Sequence, residues 1–153
     1  MPKFQFRLQK FLGVKEQIED QKELEYGKAL QKLEAEKIRL RELNEQRILT
    51  VESLREAVRA AISPLEVKRY NENIERLKQQ IKAQEERVAA AEAFAEEKRQ
   101  ELIQAMKERK ALEIVKENAL EEFLHEVDLA ERKQVDELVS FKYTDKLQET
   151  HKE

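Results

Sequence analysis

The sequence predicts an all-α protein, a long two-helix antiparallel coiled-coil hairpin, on three observations. Ala, Glu, Lys, Leu and Arg supply 92 of the 153 residues, the bias of a coiled coil and not of a compact α/β enzyme. Strong punctuation falls in one segment, Ala61-Ile62-Ser63-Pro64-Leu65-Glu66, in a chain with two Gly and two Pro. On both sides of that segment apolar residues recur in steps of three and four. Leu, Ile, Val and Phe number 41, enough to fold, while 41% of residues are charged, too many for a thick core.

Helix one is expected over about residues 3–62. Leu8, Phe11, Ile18, Ala29, Leu33, Leu40 and Leu43 lead into Val51, Leu54, Val58, Ile62 and Leu65. The step from Leu43 to Val51 exceeds a heptad and is expected to unwind the supercoil locally. Gly13 and Gly27 each cost about 1 kcal/mol against Ala and soften the end away from the turn. At the turn, residues 63–64, Ser63 suits a helix cap, Pro64 the first helical turn and Glu66 a capping box. A proline inside one continuous helix would cost about 3 kcal/mol, which favours a break over a kink.

Helix two is expected over about residues 64–143, followed by a polar tail at 144–153, so that residues 1–143 form a single hairpin. Val67, Tyr70, Ile74, Leu77, Ile81, Gln84, Val88, Ala91, Ala95, Lys98, Leu102, Ala105, Arg109 and Leu112 form the narrow seam of a coiled coil. The alanines let the partner helix approach closely. Val115, Ala119, Phe123, Val127, Val135 and Leu138 continue it less strictly. Outward faces offer ion pairs at helical spacing, Glu36 with Arg39, Glu52 with Arg55 and Glu72 with Arg76, which read as solvated surface.

At 1.5 Å per residue the first helix would be roughly 90 Å long and the second roughly 120 Å, so the second overhangs. Phe4 then lies opposite about residue 124, and Phe4, Phe6, Phe11 and Phe123 gather at the open end, with Phe141 and Tyr143 on the overhang. The first fifteen residues add Lys3, Arg7, Lys10 and Lys15 and no acid. Two readings stand: these rings close the hairpin's own end, or they bind another molecule. In a helix, Phe4, Phe6 and Leu8 could not all face one partner, which leaves apolar surface over. A membrane anchor would need a wider and longer apolar face.

Zero Cys excludes disulfides and thiolate metal sites, and His125 and His151 are too far apart in sequence to form an imidazole cluster, so no metal and no cofactor is expected. A net charge of -3 argues against nucleic-acid binding, and no apolar run approaches a membrane span. The basic N-terminus lacks the apolar stretch and cleavage site of a secretory signal, so a cytoplasmic location is expected. No phosphate loop, nucleophile triad or carboxylate dyad in a cleft is present, so no catalytic residue is assigned and the function is expected to be contact.

Three segments, in order, resemble the flagellar type III export protein family FliJ. Phe4-Gln5-Phe6-Arg7-Leu8-Gln9-Lys10-Phe11-Leu12, followed by Lys15 and Glu16, resembles the family's opening phrase. Tyr70 with Ile74, Leu77 and Ile81 is similar to its start of helix two. Arg109 to Glu117, then Glu131 to Glu137 with its Asp136-Glu137 pair, resembles its closing phrases. The resemblance implies a non-enzymatic coiled-coil component of flagellum biogenesis and protein export, and hence of motility and chemotaxis. It implies a central-stalk-like protein that enters the pore of the hexameric export ATPase by its open end and activates it. It also implies contacts with the export-gate membrane protein and with export chaperones, and a place at the inner face of the cell membrane through the apparatus. Carried onto this sequence, the ring contact falls on Phe4, Phe6, Arg7, Lys10, Arg109, Lys110, Lys133, Asp136 and Glu137. The gate contact falls on Asn73, Leu77, Gln80 and Gln84. The protein by itself is expected to be monomeric. Two rivals remain: the equivalent stalk of a virulence type III secretion system, and a plain structural tether.

Overall fold

A computed structural model describes residues 2–152, which hold two helices, α1 (Gln9–Arg59) and α2 (Pro64–Thr150), and no strand. The helices pack against each other as an antiparallel hairpin, as the residue periodicity predicts. Leu43 shares a buried cluster with Leu77 and Ile81, Glu36 meets Gln84, and Glu25 meets Lys98, so each step back along α1 is a step forward along α2. The chain divides into two compact units, one of Gln17–Met106 and one joining the N-terminal residues through Glu16 to the segment from Lys107 onward.

In α2 all fourteen seam positions from Val67 to Leu112 are buried or half-buried. Nine of the twelve positions expected in the seam of the first helix are buried or half-buried, and Phe11, Val58 and Leu65 are exposed. Leu12 is buried at 2% exposure while Phe11 is 51% exposed, and Ala57 is half-buried while Val58 is out. Between Leu43 and the half-buried Thr50 and Val51, residues 45–49 are all exposed. Where the apolar spacing misses, at Phe11 and Val58, the seam runs through the neighbouring Leu12 and Ala57.

Three polar layers lie in that seam. Gln84, buried at 6% exposure, donates to the Glu36 backbone carbonyl at 3.0 Å and also to the Glu36 carboxylate. Arg87 flanks the same carboxylate at 3.5 Å, so Glu36 is bridged across the hairpin and not to Arg39, which pairs with Glu42. Glu72 likewise pairs with Lys68 in place of Arg76, whose guanidinium donates to Asn73. In the second layer Lys22 and Lys98 each touch both Glu25 and Glu101 at 3.2–3.5 Å, a closed ring of four charges. Hydrogen bonds from Lys98 and then Lys22 hold the Glu101 carboxyl below its ordinary range, and Glu101 foremost holds the Lys98 ammonium above its own. The third layer pairs Lys15 with Glu108 at 2.9 Å.

Helix α1 stops at Arg59, short of the expected residue 62, because Ala61 adopts a left-handed conformation with φ 59°. Ala60 donates to Glu56 and Ala57, and Ala61 to Val58, closing the last turn. Ser63 then caps α2: its hydroxyl accepts from the Glu66 N–H at 3.3 Å, as the sequence predicts. At its far end α2 runs to Thr150 and not to 143, since neither Gly nor Pro follows Tyr143 to stop it. Its described residues from Asp128 on are all exposed.

Candidate functional site

Helix α1 also starts later than expected, at Gln9 and not near residue 3. Residues 2–6 are non-helical, and their side chains alternate: Phe4, Phe6 and Leu8 are half-buried while Gln5 and Arg7 are exposed. Period-two burial is the signature of an extended strand-like segment laid on a surface. The premise that these rings diverge around a helix therefore fails; the same spacing turns them all to one side. The Phe4 ring meets Phe123 at 5.5 Å between centroids with a 52° tilt, at the level the helix arithmetic predicts, and closes the open end from within the chain. Gln9 then donates to Phe6 at 3.1 Å and Leu12 to Leu8 at 2.9 Å as the helix begins.

What the packing leaves outward is basic. Arg7 and Lys10 are exposed and share a surface hollow with Phe4, Phe6 and Lys116. Phe4, Phe6, Arg7 and Leu8 also line a second hollow, together with Val115, Ala119, Glu122 and Phe123 of α2. Lys15 lies 5.3 Å over the exposed Phe11 ring while bonding Glu108, so that ring is anchored by a cation. The adjoining α2 stretch 121–137 carries seven acids and two bases around exposed Leu124, Leu129 and Val135.

Of the nine residues assigned to the ring contact, Phe4, Phe6, Arg7 and Lys10 come together. Arg109 is half-buried, with its guanidinium 2.8 Å from Glu113, and Lys110 beside it is exposed. Both precede Phe123 by about 20 Å of helix. Lys133, Asp136 and Glu137 are exposed at roughly 15–20 Å beyond Phe123. The four gate positions divide differently. Leu77 is buried at 5% in the Leu43 cluster and Gln84 is spent on Glu36, so both belong to the seam. Asn73 is half-buried and Gln80 is exposed.

Sequence reasoning missed Lys15, Lys22, Glu25 and Glu101 as seam residues, and also Phe94, which is half exposed beside buried Ala91 and Ala95. A Lys at the predicted seam position 98 was the available signal: a charge there requires an opposite charge across the hairpin. Among the described residues no group of three His, Cys, Asp or Glu side chains forms that could hold a metal, and no helix is long and apolar enough to cross a membrane.

The chain belongs to the FliJ family: the family described as flagellar FliJ protein matches residues 4–148. It is therefore a protein of the type III export class. Among solved structures the chain is similar to a candidate YscO homolog, CT670, from Chlamydia trachomatis, at 23% identity and a TM-score of 0.58, covering 93% of this chain and 96% of that one. That likeness establishes a shared fold. No curated protein matches the chain.

Proposed function

We propose that this protein is a non-enzymatic, stalk-like component of flagellar type III export that docks on the hexameric export ATPase through its paired chain ends and stimulates ATP hydrolysis. The observation that carries the reading is the N-terminal segment: aromatic residues hold it on α2, and Arg7 and Lys10 point away from that packing. A helix pair needs neither cation for its own seam, whereas aromatic and Arg anchors dominate protein interfaces. Family membership over residues 4–148 supports the export assignment. Lys110, Lys133, Asp136 and Glu137 extend the docking surface along α2, with Arg109 braced on Glu113.

Contacts with the export gate and with export chaperones belong to the same reading. For the gate, Gln80 is the exposed side chain on the family's face; Asn73 is half-buried and accepts from Arg76, and Leu77 and Gln84 are engaged within the hairpin. Such a protein works in the cytoplasm, held at the inner face of the membrane by its partners. The test is ATPase stimulation: the full-length protein added to the purified flagellar export ATPase raises turnover, and the Phe6→Ala/Arg7→Glu variant does not. Stimulation of a virulence-system ATPase in place of the flagellar one would move the protein to that apparatus. No stimulation of either would leave a structural tether.

A further inference from the structure

We propose that the open end of the hairpin is a self-complementary surface on which a second copy of this chain docks antiparallel, the basic hollow of each copy taking the acidic run of the other. The hollow lies within the unit that joins the residues through Glu16 to the segment from Lys107 onward, and it measures about 690 Å³, room for several side chains. Its lining holds three cations, Arg7, Lys10 and Lys116, with Phe4 and Phe6 and no acid. None of the three cations makes an ion pair among the described residues. The first fifteen residues supply no acid, and the nearest acids of α2 are directed elsewhere. Glu113 is bonded by Arg109 at 2.8 Å, Glu122 lines the second hollow, and Glu117 is turned about 100° around α2 from Lys116. Positive charge is therefore left uncompensated on a chain of net charge -3.

The matching negative charge stands farther along the same helix, in residues 121–137. Of the seven acids there Asp128 is held by Arg132 at 3.1 Å, and the other six make no ion pair among the described residues. Lys116, Leu120, Leu124, Asp128, Glu131 and Val135 follow one another by three and four, so they share one side of α2. Leu120, Leu124 and Val135 are exposed on it. Along the axis Lys116 lies about 12 Å to one side of Leu124, and Glu131 about 10 Å to the other. A two-fold axis near Leu124 exchanges those levels. Asp128 and Glu131 of each copy then reach the level of the hollow in the other, while Leu120 and Leu124 of the two copies meet between. One patch that carries both signs at matched distances is what a two-fold contact requires. A purely acidic partner would leave the acidic run uncovered, and a purely basic one the hollow. The inference does not rest on ring docking, but where that reading holds, the pair is a closed form in which Arg7 and Lys10 are covered.

The test is mass in solution without the ATPase. Light scattering of the full chain between about 1 and 200 μM is expected to show a monomer passing to a dimer. Salt near 1 M, where the Debye length falls to about 3 Å, is expected to weaken pairing at least about fivefold. Lys10→Glu/Lys116→Glu and Asp128→Lys/Glu131→Lys are each expected to stay monomeric, whereas their equimolar mixture pairs, because each supplies the sign the other has lost. A single spin label at the exposed His125, close to the axis, is expected to give a label-to-label distance under about 25 Å, a readout that needs no altered charge. Monomer mass throughout the range, a mixture that stays monomeric, or a label distance beyond about 40 Å would overturn the proposal. So would a monomer whose hollow binds polyglutamate until Lys10→Glu/Lys116→Glu removes it; that result would assign the hollow to an acidic partner. A strict monomer that stimulates the ATPase would sink this inference alone, and a dimer whose monomeric variants never stimulate would sink the docking reading alone.

Discussion

Ala61 is the one described non-Gly residue with positive φ, and it ends α1 where a glycine would do so without strain. Ala61→Gly is expected to raise stability by about 0.5–1 kcal/mol, read by chemical denaturation; a loss of stability would show that the left-handed turn is not strained. A few residues from the other end of α1, neighbouring side chains make the contrast of inside and outside. Leu12→Ala removes a buried side chain and is expected to cost about 2–4 kcal/mol, whereas Phe11→Ala, at a half-exposed ring, is expected to cost well under that. Similar melting of the two variants would contradict the seam phase. In the four-charge ring the signs of titration are opposed. Glu101 is held below its ordinary value, so its stabilisation is present above the unfolded carboxylate's value and lost as pH falls through the folded one. Lys98 is held above its ordinary value, so its share is present below that value and lost as pH rises through the folded one. The melting difference between the parent and Glu101→Gln is expected to shrink steadily as the solution is acidified below the carboxylate range; a constant difference would remove the ion ring as its cause.

At the scale of the helices, register is the quantity that sequence and structure apportion differently. The apolar stripe of α2 and the capped break at Ser63 were legible because both depend on local spacing. The pairing across the hairpin was not, since it is set by polar partners on the opposite helix: Glu36 with Gln84, Glu25 with Lys98, Lys15 with Glu108. Counting outward from Ser63-Pro64 sets Glu42 opposite Glu85, but the four-residue turn at 60–63 shifts the match to about Lys78. Spin labels at Glu42 and Lys78 are therefore expected to be closer than labels at Glu42 and Glu85, which are offset by about 10 Å along the axis. A separation near 54 Å for the first pair, the length of an unbroken helix between them, would refute the hairpin. At the N-terminus a helical reading also hid the outcome. Phe4, Phe6 and Leu8 alternate with polar residues, a strand-type pattern too short to outweigh the helical composition around it. The Phe4 contact with Phe123 nevertheless falls at the level of α2 expected from helix length, because the extended segment rises about 3.3 Å per residue and offsets the shift in register.

For the molecule as a whole, stability and contact are assigned to different residues. The buried leucines and alanines and the polar layers hold the helices together, while Arg7, Lys10, Lys110 and Lys133 are exposed and are expected to change stability by no more than about 0.5 kcal/mol when replaced. Family membership gives the export context, and the chain-end surface is where the proposed contact with the ATPase would form. The most direct measurement is turnover of the purified export ATPase ring with the parent protein, with Phe6→Ala/Arg7→Glu, and with Arg55→Glu as an exposed charge near the turn. Docking through the chain ends predicts that the parent and Arg55→Glu stimulate equally and that Phe6→Ala/Arg7→Glu fails while its helicity and melting stay close to the parent's. Equal loss in both variants would reduce the effect to general charge attraction, and full stimulation by Phe6→Ala/Arg7→Glu would contradict docking through the N-terminal segment.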